Sequence, residues 1–413
     1  MTRARFDIHL DSTVTEVLQA AECVIEEEEG LVRRVDFRYT PGYVENPSAF
    51  PLDPKRLTLG HGETRFACAG GLPGFVDDYL PDAWGRKVLT ALAWHRHGKR
   101  LNLNSAIDLL ALIPPGSRIG ALCFTPVGDA ARFEPGVPIS ALAEAERAAV
   151  QVDALDWESV DPNEVGLTHL AAAASSVGGA RPKSLVTDGE THYLAKFNRL
   201  SGDPYNNARV EIACLEMARA AGLDVARGRV VEGVNGREVL LLERFDIAAD
   251  GHRHHLVTVN ALLKEKSSQR DSGLPFRYDD VAESLARYSV AIKTDLEQLV
   301  RLALFNRVIN NTDDHARNFS LIHRGDGYRL SPAYDLVPSL AVGEYHAAAF
   351  GYDPRPPRPS EVPRIGKVFG LSKPRIHACA EEVLTALDGW PRFADEAGLG
   401  ESESKRIADR FNP

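Results

Sequence analysis

NNTDDHARNFS, residues 310–320, packs two Asp, one His and three Asn into eleven positions, and its reading decides how the rest of the chain is understood. Before it, Leu299, Leu302, Phe305 and Ile309 fall at steps of three, three and four, which predicts one buried face of a helix. After it, FSLIHR and GYRLSP flank Gly325-Asp326-Gly327 as a short hairpin that runs into AYDL and its Asp335. A chain that breaks off a helix to present acids and amides is handling a metal or a proton, or else is using Asn and Asp for turns and caps. The loop alone does not choose between these, so the choice rests on what stands upstream.

Upstream the turn signals are clear. SSVGGARPK (175–183) is glycine-containing and irregular, and KSLVT (183–187) reads as a strand. Asp188-Gly189 reads as a tight turn and THYLAKF (191–197) as the returning strand. NARVEIACLEMARAAG (207–222) has helical spacing and stops at Gly222. A second hairpin, GRVVEGV and REVLLLERF about Asn235-Gly236, follows. The order is glycine loop, hairpin, helix, hairpin.

The bulk numbers bound the answer. The 413 residues suit two or three units, with 44% hydrophobic and 26% charged residues as in an ordinary globular protein. A net charge of −10 argues against a protein that is mainly a DNA binder. Five scattered cysteines without a CxxC predict reduced thiols, not a disulfide framework or a zinc knuckle. No leader-like segment opens the chain and no stretch approaches a membrane span, so a cytoplasmic protein without a membrane partner is expected. The organisation read from these signals is a mixed α/β unit over 1–125, a connector over 126–165, a β-rich unit over 166–246 and a helical unit over 247–413. GHRHHL (251–256) has no helical i, i+4 histidine pair and reads as a solvated loop.

Phosphoryl transfer needs backbone donors over phosphates, a Lys upon them, a group for the nucleophile and oxygen ligands for Mg²⁺. Each has a candidate here, in the chain order of a protein-kinase-like fold. Gly178 and Gly179 let backbone N–H groups approach a phosphate. Lys196 lies on a strand, and Glu211, near the start of the next helix, can pair with it. Asp313 and Asn318 stand five apart, the separation of the kinase catalytic Asp and metal-binding Asn. Asp314, four from Asn318, is the rival for the catalytic place. Asp335 supplies a second oxygen ligand, and His315 reads as a loop organiser because Mg²⁺ prefers oxygen.

SSVGGARPK, AKF, VEIACLEMARAAGL, LLERFD, NNTDDHARNFS and LSPAYDL, in that order, resemble the HipA family of kinase toxins from bacterial toxin–antitoxin pairs. DDYLPDAWGR and GSRIGALCFTP resemble its N-terminal region. The resemblance implies an α/β (α+β) chain: an N-terminal α/β subdomain, then a bilobal protein-kinase-like fold with a β-rich N-lobe and a mainly helical C-lobe. It makes Asp313 the catalytic Asp, with Asn318 and Asp335 on Mg²⁺ and Lys196 on the ATP phosphates. Val177, Gly178, Gly179 and Ala180, with Lys183 after them, would cover those phosphates. Glu243 and Phe245 would meet the adenine. Ser176, or the adjoining Ser175, would match an autophosphorylation site. The implied partners are a HipB-like helix-turn-helix antitoxin, through which alone DNA is met, and a protein substrate such as glutamyl-tRNA synthetase. Arg181-Pro182 departs from the loop of the best-known members. Two other readings stay open: a small-molecule or lipid kinase, and an inert kinase-fold partner in a repressor complex.

Overall fold

The computed structural model describes residues 1–11, 17–98, 100–113, 119–131, 136–154, 170, 181–199, 201–340, 345–364 and 369–413. Residues 2–11, 17–28 and 31–39 largely alternate apolar with polar or charged residues, and they form long strands with one buried face. β1 (Thr2–Asp11), β2 (Val17–Glu28), β3 (Leu31–Tyr39), β4 (Glu63–Ala67) and β5 (Leu122–Pro126) make an antiparallel sheet in the order β4-β3-β2-β1-β5. Ile8, Cys23, Ile25, Val35 and Phe37 point to its covered face. That face is covered by α1 (Ala83–His97) and α2 (Ala106–Leu112). Asp82 caps α1 by accepting from Gly85 N at 2.7 Å, and Gly98, at φ 60°, ends it in the left-handed region. Glu27 is buried on β2 yet satisfied, taking bonds from Ser105 Oγ (2.6 Å) and Ile107 N (2.9 Å) at the start of α2.

The second sheet is built from β6 (Val137–Pro138), β7 (Lys183–Asp188), β8 (Thr191–Phe197), β9 (Gly228–Glu232) and β10 (Glu238–Glu243), in the order β6-β7-β8-β10-β9. β6 joins β7 in parallel, and the other pairs are antiparallel. Within 126–165, then, the chain contributes a strand to this sheet and α3 (Leu142–Asp153), which packs against α1. The apolar run of β10 is explained by burial on both faces. Val239 and Leu241 join the core shared with the N-terminal sheet, while Leu240 and Leu242 join the core of the helical unit. α4 (Asn207–Ala220) lies on the second of these faces.

The remainder is helical, with one small sheet. α5 (Tyr278–Tyr288) and α6 (Ile292–Val308) pack against the edge of a sheet of β11 (His255–Thr258), β12 (Ser320–His323) and β13 (Tyr328–Leu330), and α7 (Lys373–Asp388) packs on α6 and α4. α6 is buried nearly all round, and Asn310, at φ 55°, turns the chain out of it. The histidine-rich stretch departs from its expected solvated loop. His255 is buried at the start of β11, its Nε2 2.8 Å from Leu52 O, and burial lowers its imidazole to about 4. Arg253 is buried as well. Residues of the N-terminal unit cover this strand, which local composition does not reveal. All five cysteines are buried thiols outside any disulfide, and among the described residues no helix is long and apolar enough to cross a membrane.

Candidate active site

The β-rich sheet and the helical unit meet in a cleft lined by Lys183, Leu194, Lys196, Phe245, Tyr334 and Asp335 among others. Lys196 reaches it because β8 is central in its sheet and alternation turns this side chain toward α4. Its Nζ donates to Glu211 Oε1 at 2.7 Å and makes a second, short contact with Asp335 Oδ1. Burial works against the Lys196 charge, but Asp335 and Glu211 outweigh it and raise the ammonium above its ordinary value. Burial likewise opposes the Asp335 carboxylate, and Lys196 overcomes this and holds it below the usual range. Glu211 is raised, mainly by burial, with Lys196 acting against the shift. Asp335 sits in the left-handed region at φ 55°, which suits Asp better than most residues.

The loop after α6 is fixed by residues that sequence reading passed over. Asn311 donates through Nδ2 to Asn306 Oδ1 (3.1 Å) and to Asp335 O (3.2 Å), while its Oδ1 accepts from Asp313 N (3.3 Å). One amide thereby ties the helix, the loop and the Asp335 segment together. Asp314 is fully buried, accepting from Tyr278 Oη (2.9 Å), His346 Nδ1 (3.0 Å) and Ala348 N (3.0 Å). Asp313 instead stays 78% exposed in its side chain. Its carboxyl is raised, first by partial loss of hydration and then by Asp335 and Asp314, with His315 opposing. Asn318 Nδ2 donates to Asp313 O (2.8 Å), an assignment that leaves its Oδ1 as the outward-facing acceptor. His315 Nε2 stands 3.8 Å from Asp313 Oδ1, too far for a hydrogen bond. The organising predicted for His315 falls largely to Asp314, His346 and Asn311. The doubled acid and doubled amide of NNTDD were the available signal, but their partners Tyr278 and His346 are distant in sequence.

The structure brings Lys196, Glu211 and Asp335 into contact and sets Asp313 and Asn318 on one loop. Lys183 lines the same cleft, with its Nζ 2.8 Å from Asp82 Oδ2. Phe245 packs near Tyr334, their rings 6.0 Å apart at 24°. Glu243 ends β10, its N–H bound to Arg227 O at 2.7 Å. Ser175, Ser176, Val177, Gly178, Gly179 and Ala180 lie outside the described residues. Arg181, one of the departures in that loop, makes a two-pronged ion pair with Asp203 at 2.7 and 3.2 Å.

A family model for the HipA-like C-terminal domain matches residues 175–408. The chain is 27% identical over 384 residues, 89% of its own length and 81% of the relative's, to Y4mE of Sinorhizobium fredii, a kinase by provisional name. It is 27% identical over 319 residues to the serine/threonine-protein kinase toxin HipA of Shewanella oneidensis, covering 70% of this chain and 67% of the relative. A solved HipA structure from Shewanella oneidensis, in complex with HipB and operator DNA, superposes with a TM-score of 0.66. The superposition covers 98% of this chain and 94% of that one at 19% identity, so it speaks to the fold. The fold is accordingly the α/β, bilobal, kinase-like one expected from the sequence, with an N-terminal α/β subdomain attached.

Proposed function

The chain belongs to the HipA-like C-terminal domain family, and on that premise we propose that it is an ATP- and Mg²⁺-dependent Ser/Thr protein kinase. It would act as the toxin of a type II toxin–antitoxin pair in the cytoplasm. The observation that supports this reading is the convergence of Lys196, Glu211 and Asp335 in the cleft, with Asp313 near enough to feel the Asp335 charge.

The donor set suits the nucleotide and its metal. Asn318 Oδ1 and the Asp335 carboxylate are hard oxygen donors, the kind Mg²⁺ takes alongside water and phosphate. Mg²⁺, when bound, would neutralise charge on the transferring phosphoryl group. Lys196 is kept charged and oriented by Glu211, and would exchange Asp335 for phosphate oxygens. Lys183 and the loop through Val177, Gly178, Gly179 and Ala180 would cover the phosphates. Leu194, Leu242, Phe245 and Tyr334 offer an apolar slot for an adenine. Because the Glu243 N–H is spent on Arg227 O, backbone contacts with the base would fall to the Glu243 carbonyl and the Phe245 N–H. Asp313, exposed and with a raised carboxyl, would orient the acceptor hydroxyl and take its proton. Asp314, buried under three hydrogen bonds, cannot meet a substrate. Family kinship supports an aminoacyl-tRNA synthetase as the protein substrate, self-modification at Ser176 or Ser175, and a HipB-like antitoxin that meets DNA on the complex's behalf.

The test is incubation of the purified chain with labelled ATP and Mg²⁺ in a bacterial lysate, followed by phosphosite mapping. Label should appear on Ser or Thr of a protein and vanish with Asp313→Asn. Label confined to lipid or small molecules, or equal labelling by Asp313→Asn, would sink the reading.

A further inference from the structure

A segment of the N-terminal unit, DDYLPD at 77–82, bonds to both the β-rich sheet and the helical unit. At one end Asp77 Oδ2 accepts from Arg317 Nη2 and from Lys264 Nζ, both at 2.8 Å. Arg317 lies on the loop between Asp313 and Asn318, and its own carbonyl accepts from Tyr334 Oη (3.1 Å), the neighbour of Asp335. Asp78 accepts from Thr258 N (2.8 Å) and Thr258 Oγ1 (2.7 Å), where Thr258 caps the helical turn Val259–Leu263. At the other end Asp82 Oδ2 accepts from Lys183 Nζ (2.8 Å), and Lys183 is the register partner of Lys196 across β7 and β8. Tyr79 and Leu80 between them are buried.

The two lysine ties are poorly screened, while the Arg317 side chain is 35% exposed. The Lys183 and Lys264 side chains are 3% and 5% exposed, so solvent and salt weaken their pairs little. Burial opposes the Asp77 charge, but Arg317 and Lys264 prevail and hold its carboxyl below the ordinary range. A further tie joins a cleft-lining residue to the N-terminal unit, where Gly120 N donates to Asp246 Oδ2 at 2.6 Å. Two lobes joined only by a hinge are free to rotate open. Here such a rotation must break either the Asp82–Lys183 pair or the Asp77–Arg317 pair.

We infer that DDYLPD is an interlobe brace, in which Asp77 is a positioning residue that holds the Asp313–Asn318 loop through Arg317 while Asp82 anchors the β-rich lobe through Lys183. The effect on turnover rests on the kinase reading given above; the mechanical role does not. The brace links the N-terminal subdomain to the chemistry, which a merely appended domain would not do.

The experiment uses the full chain with Asp77→Asn, Arg317→Gln, their double variant and Arg317→Lys, read by amide hydrogen exchange and by steady-state kinetics. In Asp77→Asn and Arg317→Gln, amides of the 311–319 loop should exchange several-fold faster while β2 and β3 keep their protection. kcat should fall about tenfold to a hundredfold, with the KM for ATP changed less than about twofold. The double variant should be no worse than either single one, and Arg317→Lys should restore part of the protection. Unchanged loop exchange in Asp77→Asn, or fully additive losses in the double variant, overturns the inference. Hydrogen exchange needs no turnover, so a chain without kinase activity would refute the proposed function while the brace was still decided by its loop protection.

Discussion

Lys196→Met removes a charge while keeping a flexible apolar stem in place. In the structure the Lys196 ammonium lies between Glu211, 2.7 Å away with a side chain 6% exposed, and Asp335, whose side chain is 27% exposed. Without it two carboxylates share the cleft with no cation between them. Breaking a buried ion pair by deleting one partner costs about 3–5 kcal/mol, and the partial exposure of Asp335 favours the lower end. At roughly 2–4 °C of melting temperature per kcal/mol, the nucleotide- and metal-free variant should melt about 6–12 °C lower near neutral pH. The pH dependence has a definite sign. Wild-type Asp335 is held below its ordinary value, so its contribution is present above the unfolded carboxylate range and lost as pH falls through its folded value. Glu211 is already raised by burial, and without Lys196 it rises further, so its penalty fades once it is protonated. The melting gap between wild type and variant should therefore be widest at about pH 8 and narrow toward about pH 4.5. Scanning calorimetry across that range measures it. A gap absent at all pH, or constant across it, would refute the assignment of Lys196 as the buried counter-charge. Adding Glu211→Leu to Lys196→Met should recover part of the loss, because an apolar pair replaces a stranded acid.

Three further outcomes follow from particular contacts. Asn318→Ala should raise the Mg²⁺ concentration for half-maximal phosphoryl transfer by about tenfold or more while leaving thermal melting unchanged, as a metal titration would show. Asp314→Ala strands three donors, Tyr278 Oη, His346 Nδ1 and Ala348 N, and should cost about 3–5 kcal/mol, read from the urea midpoint. Gly74→Ala would set a Cβ 2.6 Å from both Ala261 Cβ and Ala261 O, pushing the N-terminal unit off the helical lobe at a cost of about 1–3 kcal/mol, whereas Gly42→Ala, with open space around it, should be silent.

Much of the fold was legible because its signals are local. The Asp188-Gly189 turn between two apolar runs predicts β7 and β8, and the three- and four-residue steps of Leu299 to Ile309 predict α6. The five-residue step from Asp313 to Asn318 is likewise a property of one loop, whereas the burial of Asp314 beside it depends on distant partners. The histidine-rich stretch was misread because burial depends on what packs over a segment, and no feature of GHRHHL announces that β11 lies beneath the N-terminal unit. The hub role of Asn311 escaped for a similar reason, since Asn in a turn-rich run reads as turn chemistry until its partners are known.

The sequence by itself determined which side chains were on offer and the local elements that carry them. Only the tertiary structure decided which of them meet. Lys196 lies 15 residues from Glu211 but 139 from Asp335, and Arg317 lies 240 from Asp77. No periodicity spans such separations. They are closed by two apolar cores that share the strand β10, one on each face, and the buried Lys196 and Glu211 then keep their charges by pairing.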